Sequence, residues 1–412
     1  MADRNRTDDL DVSRRSILTS GATILGGTYI ATHARAASDS EVERYNIGVE
    51  SSGNISAIEA VAIDHKQTIP LGDVTVVTGR YDGETISDIR SRDGIEFVER
   101  GGTVTRPPEP PETDENPQYP STGTGGGARS VTAGDQITDW GFDLLGGNYL
   151  GDVDGSDATV AVLDSGFDLT HPEFEDAVVA TEVFVGNDIT DERSIHGTPV
   201  AGVIGARDNG TGTVGIAPGA DLALGKIADR ADGRTTWNTV AAGIVWAVED
   251  IGADVINLSY GGTYGSEFLR YAADYARQNG VVLVVSAGNE GRCNDCVTYP
   301  AAYNSALAVS ALHRTMNVAS FSSTGPEVDL IAPGESVSAP TPGGGRDDHW
   351  LGTSFAAPYT AGVAALLASL GHDADEIIRR LKQGTVDIGL SSNAQGEGRL
   401  DAWRAVTEMP PI

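Results

Sequence analysis

Three short segments of this chain carry residues from which acyl-transfer chemistry could be built. They are Val160–Gly166 (VAVLDSG), His196–Gly202 (HGTPVAG) and Gly352–Pro358 (GTSFAAP). In chain order they supply Asp164, His196 and Ser354. A hydroxyl nucleophile needs a neighbouring base, and the base needs a carboxylate that orients it. Taken singly, Asp164 is a turn or cap residue, His196 a polar surface residue and Ser354 an N-cap. Taken together, they predict nucleophilic catalysis.

The elements that must position these residues follow an alternating strand and helix pattern. Asp164 follows an apolar run, and functional groups of parallel sheets gather at the carboxyl ends of strands. His196 and Ser354 open predicted helices, and the positive end of a helix favours an oxyanion beside Ser354. The predicted strands are Thr159–Leu163, Asp221–Ile227, Asp254–Leu258, Val281–Ser286, Leu307–Ala311 and Val328–Ala332. The predicted helices are His196–Gly205, Thr235–Ile251, Glu267–Asn279, Ser354–Leu370 and Asp375–Gln383. This pattern predicts an α/β fold with a doubly wound, mainly parallel sheet.

The charge of the chain restricts its partners. There are 59 Asp and Glu residues against 28 Lys and Arg residues, so the formal net charge is −31. Such a charge excludes nucleic acid and anionic membranes as partners, because phosphate groups would repel it. It is typical either of an acidic secreted protein or of adaptation to molar salt, which screens the self-repulsion. No apolar run is long enough to predict a transmembrane helix.

The first 37 residues have the pattern of an export signal. Ser13–Leu18 (SRRSIL) matches a twin-arginine motif, Ile17–Ile30 is mildly apolar, and Ala34–Ala36 (ARA) offers a cleavage site. The alternative is a chance Arg-Arg pair before a weak helix. Because three cues occur in the correct order, we predict secretion by twin-arginine export, which carries folded proteins.

Two further regions precede the segments with chemistry. Residues 38–102 form a predicted unit with two helical patterns among short strands, which favours a ferredoxin-like α+β sandwich, although an adhesion or linker module would also fit. Residues 103–134 are a linker rich in Pro and Gly and open to proteolysis. We therefore predict four parts: 1–37, 38–102, 103–134 and 135–412.

From about Gln136 to Val406 the chain resembles the subtilisin-like serine proteases, or subtilases, through the three segments and their Asp, His, Ser order. The resemblance implies a serine endopeptidase in which Asp164 orients His196 and Ser354 attacks the peptide carbonyl. His196 would act as general base and then as general acid. The resemblance also implies that the amide of Asn289, in SAGNEG, donates to the oxyanion with the Ser354 N–H. Taken alone, Asn289 is a left-handed turn residue.

The same resemblance implies an autoprocessed zymogen. Residues 38–102 match the inhibitory propeptide of subtilases in length and position, and cleavage is expected between about Gly101 and Gly134. The propeptide would inhibit the enzyme from within the same chain. With the acidic composition and the export signal, the chain resembles halolysin-like secreted proteases of halophilic archaea. Members of this family are usually monomers, and no cofactor takes part in their chemistry.

Substrate binding is expected to depend on backbone pairing. Ser259, Tyr260 and Gly261 resemble the segment that pairs with one side of a substrate, and Asp232–Arg234 aligns with the other side. The residues expected near the primary specificity pocket are Ala287, Gly288, Glu290 and Thr298. Thr298 stands where the family often has Gly, which predicts a shallower pocket, and Glu290 would favour a basic side chain. Tyr260 could equally be a core residue.

A calcium site is implied at Arg207–Thr213 (RDNGTGT), where subtilisins hold the ion in a loop. By resemblance the side-chain ligands would be Glu173, Asn209 and Gln136, with carbonyl oxygens from Arg207, Thr211 and Thr213. An oxygen-only set suits Ca²⁺. Glu173 is longer than the usual Asp of the family, and the glycine pattern of the loop differs. The alternative is a solvated acidic loop.

Cys293 and Cys296 are the only cysteines of the chain. A zinc site would need four ligands, and no nearby pair of histidines completes the set. For an exported protein, a small-loop disulfide beside the pocket is expected, with two free thiols as the alternative.

Two functions of other classes compete with proteolysis. An inactive subtilase fold could serve as a binding or surface protein, but the presence of all four residues Asp164, His196, Asn289 and Ser354 argues against this. An esterase would carry a Gly-x-Ser-x-Gly elbow after a strand, and Gly352–Ala356 (GTSFA) does not match it.

Overall fold

The fold is described here from a computed structural model that covers residues 42–50, 53–107, 129–130, 134–191, 196–229, 232–291 and 293–408. The predicted signal peptide lies outside these described residues, as does most of the predicted linker. Within the described residues, none of the helices is both long and apolar enough to cross a membrane.

A four-stranded antiparallel sheet forms the N-terminal part. Its elements are β1 (Glu43–Glu50), α1 (Ile55–Glu59), β2 (Asp64–Leu71), β3 (Val74–Tyr81), α2 (Gly83–Arg90) and β4 (Ile95–Arg100). The strands lie in the order β2-β3-β1-β4. One face of this sheet packs on the two helices through residues such as Val77, Ile58 and Ile89. The other face, which includes Ile69 and Val76, packs on the rest of the protein.

The strand β2 does not appear in the sequence-based prediction. Its residues read DHKQTIPL, and its first three side chains are exposed. As an edge strand it therefore lacks the continuous apolar run that buried strands show.

A seven-stranded parallel sheet forms the centre of the larger part, as predicted. After the short strands β5 (Thr103–Thr105) and β6 (Arg129–Ser130) and helix α3 (Trp140–Leu144), it begins with β7 (Thr159–Asp164), β8 (Val178–Val183), β9 (Asp221–Lys226) and, after β10 (Arg234–Thr236), β11 (Val255–Leu258). It continues with β12 (Val282–Ser286), β13 (Ala306–Leu312) and β14 (Val328–Pro333). The spatial order is β14-β13-β12-β11-β7-β9-β8. Strand β8, an edge strand with alternating exposure, is absent from the prediction.

Helices cover both faces of this sheet. They are α4 (Gly197–Gly205), α5 (Trp237–Trp246), α6 (Glu267–Gln278), α7 (Thr353–Ser369), α8 (Ala374–Gln383), α9 (Ser392–Gln395) and α10 (Ala402–Thr407). On β7, Val160 and Val162 belong to the cluster that contains α4 and α7. Their neighbours Ala161 and Leu163 belong to the cluster that contains α5 and α6. Alternate side chains of one strand thus enter two cores, as a doubly wound fold requires.

The helix predicted at Thr235–Ile251 begins later and ends differently. Arg234–Thr236 instead form β10, which pairs antiparallel with β5. The Thr236 side chain caps α5, and a π-helical turn, Ala247–Ile251, follows that helix. A hairpin of β15 (Val337–Thr341) and β16 (Gly345–Trp350) leads into α7.

Candidate active site

Asp164 and His196 form a buried pair at the carboxyl end of the central strand β7. The imidazole Nδ1 lies 2.8 Å from one Asp164 carboxylate oxygen and 3.0 Å from the other. The exposed fraction is 0% for Asp164 and 3% for His196. The Ser165 N–H donates to Asp164 Oδ1 at 2.6 Å, and the Ser165 hydroxyl accepts from the Gly197 N–H at 3.0 Å. Both members of the pair are therefore held by the turn after β7 and the start of α4.

The His196 ring is also fixed by aromatic contacts. It meets Phe355 edge-on with 5.7 Å between ring centres and Tyr260 with 6.4 Å. Phe355 directly follows Ser354, so this contact joins the imidazole to the first turn of α7. Tyr260 is fully buried, and burial, with the nearby charge of Asp164, raises the pKa of its phenol well above its usual value. Its side chain is part of the hydrophobic core that contains α5 and α6.

Ser354 is the second residue of α7, and Gly352 is the N-cap. Ser354 therefore occupies the second position of the helix and is not its N-cap. Pro358, four residues on, lies inside α7 and has no N–H to give to the Ser354 carbonyl. The Ser259 hydroxyl donates to that carbonyl instead, at 3.1 Å. This bond satisfies a buried acceptor and ties the end of β11 to the backbone of Ser354.

Asn289 is oriented by the residue before Ser354. Its Oδ1 accepts from the Thr353 N–H at 3.0 Å and from the Thr353 hydroxyl at 2.8 Å. Two donors on one atom identify that atom as the oxygen, so the amide nitrogen points the other way. A Cβ at Gly352, whose φ is 137°, would lie 3.3 Å from this nitrogen and 3.8 Å from the Ser354 Cβ. The Asn289 N–H groups therefore lie beside the start of α7, next to Ser354.

The cleft beside these residues holds a segment of the same chain. Strand β5 pairs with β10 on one side, where Arg234 faces Thr105. On its other side the Thr105 N–H donates to the Gly261 carbonyl at 2.9 Å, and the Gly261 N–H donates back at 3.0 Å. The Arg106 N–H donates to the Gly233 carbonyl at 3.2 Å. The two segments that the sequence suggested as walls for an extended peptide thus enclose one.

Thr298 packs between Gly261 and Gly288, beside the segment that pairs with β5. A Cβ added at Gly261 would collide with its hydroxyl, and one added at Gly288 would lie 2.7 Å from its methyl group. Its hydroxyl donates to the Ala287 carbonyl at 3.2 Å, and the side chain is buried. The Glu290 N–H, in the same wall, donates to the Ser323 hydroxyl at 3.1 Å. Thr298 therefore occupies volume that a glycine would leave open beside Gly261 and Gly288.

The suggested calcium ligands meet at one place in the fold. The Gln136 amide nitrogen lies 2.8 Å from the Arg207 carbonyl oxygen and 3.4 Å from those of Thr211 and Thr213. Glu173 is fully buried; one of its carboxylate oxygens accepts from the Thr213 hydroxyl at 2.6 Å, and the other has no hydrogen-bond partner. Burial raises the pKa of Glu173 to about 7.

Asn209 is placed differently from the other members of this set. Its amide donates to the Pro172 carbonyl at 2.9 Å, while its oxygen accepts from the Thr211 N–H at 3.1 Å. Among the described residues, no group of three or more His, Cys, Asp or Glu side chains is arranged to hold a metal. An ion here would therefore rest mainly on main-chain carbonyls and on Glu173.

Cys293 and Cys296 are joined as a disulfide with their Cα atoms 5.9 Å apart. The bridge lies in the loop between Asn289 and Thr298. The Cys296 N–H holds this loop by donating to the Thr324 carbonyl at 3.0 Å.

Comparison with known proteins agrees with this geometry. A family model described as the subtilase family matches residues 155–398. The chain belongs to the subtilase family. It is 39% identical to thermitase from Thermoactinomyces vulgaris over 256 residues, which are 62% of this chain and 90% of thermitase. It is 42% identical to subtilisin E from Bacillus subtilis over 218 residues, which are 52% of this chain and 56% of that protein.

A third relative extends the comparison. The thermostable alkaline protease of Halalkalibacterium halodurans is 38% identical over 274 residues, 66% of this subtilase and 74% of that protein. The subtilase described here is therefore a serine endopeptidase, and its substrates are polypeptides.

Two positioning residues of this subtilase escaped the sequence analysis. Thr353 orients Asn289, and the Ser259 hydroxyl, which was considered only for its place beside the substrate, supports the Ser354 backbone. The signal for Ser259 was present in the sequence, because Pro358 must leave the carbonyl four residues before it without a helical partner. No local signal marks Thr353, since its partner is 64 residues away.

Proposed function

We propose that Ser354 is the nucleophile of this endopeptidase, His196 its general base and then acid, and Asp164 the group that orients the imidazole. The buried Asp164–His196 hydrogen bonds carry this proposal. With its proton held on Nδ1 by the carboxylate, the ring has an acceptor lone pair on Nε2. That nitrogen removes the Ser354 hydroxyl proton as Oγ attacks the peptide carbonyl, and it returns the proton to the leaving amine.

The oxyanion of the tetrahedral intermediate would be held by two donors, the Asn289 amide and the Ser354 N–H. The N-terminus of α7 adds its partial positive charge at the same point. Thr353 supports this role because it leaves the Asn289 nitrogen facing Ser354.

We expect Asn289→Asp to lower kcat by about 10²–10³, the range observed in subtilisin for loss of an oxyanion donor. The variant keeps the acceptor that Thr353 uses, but it replaces the donor by a negative charge. KM should change little, because the oxyanion develops only in the transition state. The measurement is steady-state hydrolysis of a chromogenic peptide, with the exposed Asn148→Asp as matched control. If Asn289→Asp keeps more than a tenth of wild-type kcat, the amide is not an oxyanion donor.

Substrate is proposed to bind as an added strand between β10 and Gly261, as β5 does in the same cleft. The primary specificity pocket would lie along Ala287, Gly288 and Thr298. Because Thr298 fills the space between Gly261 and Gly288, we propose that this pocket accepts small side chains best.

Calcium is proposed as a structural ion at the loop 207–213. The donor set fits it, because three carbonyl oxygens converge and a buried carboxylate oxygen lacks a partner. Glu173 would supply the negative charge, and the loop carbonyls would supply neutral oxygens. The Gln136 amide nitrogen faces these carbonyls and its oxygen accepts from the Gly210 N–H at 2.8 Å, so this amide would have to turn over to act as a ligand. The bound ion would link the loop to the turn that carries Glu173, and it would take no part in the chemistry.

We expect Glu173→Gln to weaken calcium binding at least about tenfold, since the number of ligand charges sets the affinity of such sites. The measurement is isothermal titration of the chelator-treated protein with CaCl₂. Asp208→Asn, which removes an exposed charge from the same loop, is the matched control. Absence of a calcium isotherm in the wild-type protein, or equal affinity of Glu173→Gln, would contradict the site.

The remaining parts of the proposal concern the export of the protein and its activation. We propose a secreted zymogen, exported by the twin-arginine route, whose residues 38–102 inhibit the enzyme until they are cut away. Strand β5 follows these residues directly, at the start of the predicted linker, and its contacts with both walls of the cleft support inhibition. Adaptation to high salt is supported by the net charge of −31.

The whole proposal is tested by labelling the protein with a fluorophosphonate and mapping the adduct by mass spectrometry. A single adduct on Ser354 is expected after brief trypsin treatment has removed the N-terminal part. A folded protein that stays unlabelled after this treatment would favour the inactive binding protein.

A further inference from the structure

Strand β5, which lies in the cleft, pairs with Gly261 in a register that also fixes which residue of the segment stands opposite Ser259. Thr105 and Gly261 exchange both backbone hydrogen bonds, which defines an antiparallel hydrogen-bonded pair. In such a ladder each step forward on one strand is a step back on the other. Two residues on, Pro107 therefore stands opposite Ser259, the residue whose hydroxyl donates to the Ser354 carbonyl at 3.1 Å. Pro107 is buried.

The register therefore places a proline opposite Ser259, and the next residue in the sequence is also a proline, Pro108. Resting on the proposed function, we infer that Thr103–Pro107 is a cleavage-resistant occupant of the enzyme's own cleft. The bond that the register brings to the nucleophile, Pro107–Pro108, is not the bond at which this zymogen matures.

The resistance follows from what acylation requires. The Ser354 oxygen would form a bond to the Pro107 carbonyl carbon, the bond from that carbon to the Pro108 nitrogen would break, and the serine proton would pass through His196 to this nitrogen. A Pro nitrogen carries a ring carbon where other residues carry hydrogen, so the group that must accept the proton is crowded.

A second loss occurs on the acyl side of the bond. Pro107 has no N–H, so it cannot donate to the segment Ser259–Gly261. Pro107, whose carbonyl would be attacked, therefore lacks the backbone hydrogen bond that an N–H at this position would make. The upstream bonds of Thr105 and Arg106 are intact and keep the segment bound. Firm binding upstream and a poor bond at the nucleophile are the properties of an inhibitor.

The same reasoning locates the maturation cut. Since the bond in register resists attack, removal of residues 38–102 uses another bond, and we place it after Pro108, within the predicted linker. Such a bond reaches a nucleophile only after β5 has left the cleft, or in a second molecule. Maturation should therefore depend on release of β5.

We expect Pro108→Ala to make the bond after Pro107 cleavable. Its cleavage rate should rise at least about 10²-fold above that of the wild-type bond, because efficient proton transfer to a leaving group contributes at least this factor. The full-length proteins are refolded in about 3 M NaCl, a concentration chosen for the acidic charge. Intact mass and N-terminal sequencing then follow the first products in time. Pro110→Ala/Pro111→Ala is the matched control, with two prolines removed from the same linker and the Pro107–Pro108 bond unchanged. Pro108→Ala/Ser354→Ala shows whether Ser354 makes the cut.

The outcomes separate this inference from the proposed function. An early product that ends at Pro107 in Pro108→Ala, absent from the wild type and from both controls, supports the inference. Cleavage of the wild type between Pro107 and Pro108 overturns it. So does a Pro108→Ala protein that labels at Ser354 with a fluorophosphonate yet is never cut after Pro107. If neither protein is cut or labelled after trypsin treatment, the proposed function fails, and the inference fails with it.

Discussion

Ser354→Ala is expected to lower kcat by about 10⁶-fold, the size that loss of the nucleophile has in subtilisin, a relative of this chain. The variant should also take up no fluorophosphonate and should stay at its full-length mass in high salt. The reason is that Ser354 directly precedes Phe355, whose ring contacts His196, whereas the other hydroxyl at the start of α7, that of Thr353, donates to Asn289. The remaining activity would come from the oxyanion donors and from binding.

A matched control is present at the other end of the same helix. Ser369 closes α7, and its hydroxyl donates to the Leu366 carbonyl at 2.8 Å. Ser369→Ala removes the same atom from the same helix and should keep full activity and normal processing. Circular dichroism should be the same for both variants. A Ser354→Ala protein that still hydrolyses peptide at more than a hundredth of the wild-type rate would exclude Ser354 as the nucleophile.

The central part of the fold follows from the sequence because its elements are buried on both sides. Strands such as β7 and β12 are continuous apolar runs, since each face meets a separate core. Helix α7, almost wholly buried, is recognised from its small and apolar residues. Among the elements that sequence reasoning missed, β2 and β8 are edge strands with polar, exposed positions. Their pairing is decided by distant partners and not by their own pattern.

The residues of the site could be named from the sequence, but their support could not. Asp164, His196 and Ser354 occur in specific local contexts, so residue type and spacing were informative. The bonds from Ser259 to Ser354 and from Thr353 to Asn289 join residues 95 and 64 positions apart. Only the folded chain brings such pairs together. The same holds for β5, whose place in the cleft depends on pairing with both Gly261 and β10.

The N-terminal part contacts the enzyme through residues that the sequence alone did not indicate. Its length and position suggested an inhibitor, but they did not identify the residues that make the contact. In the structure the Glu99 carboxylate accepts from the Ser266 hydroxyl at 2.7 Å and from the Glu267 and Phe268 N–H groups at 3.1 Å. The N–H groups of Glu267 and Phe268 are backbone donors in the first turn of α6, which have no partner within the helix. The same part therefore contacts the enzyme at a helix end as well as in the cleft.

Asp164→Asn is expected to lower kcat by about 10⁴-fold, through the tautomer of His196. The Ser165 N–H, 2.6 Å from Oδ1, would hold the oxygen of the new amide at that position. The amide nitrogen would then replace Oδ2, which lies 3.0 Å from His196 Nδ1. The oxygen kept at Oδ1 still lies 2.8 Å from Nδ1, but the new donor opposes a proton on Nδ1 and shifts the ring proton toward Nε2. The nitrogen that must take the Ser354 proton would no longer have a lone pair for it.

The measurement is kcat and KM on a chromogenic peptide, with the exposed Asp152→Asn as control for the loss of one charge before β7. KM should stay within a few-fold of wild type, because the carboxylate contacts the base and not the bound peptide. A protein that had merely been destabilised would lose folded fraction, kcat and labelling together, and added salt would partly restore all three. A tautomer defect leaves the folded fraction intact and is not restored by salt. Retention of more than a tenth of kcat would show that Asp164 does not set the proton on His196.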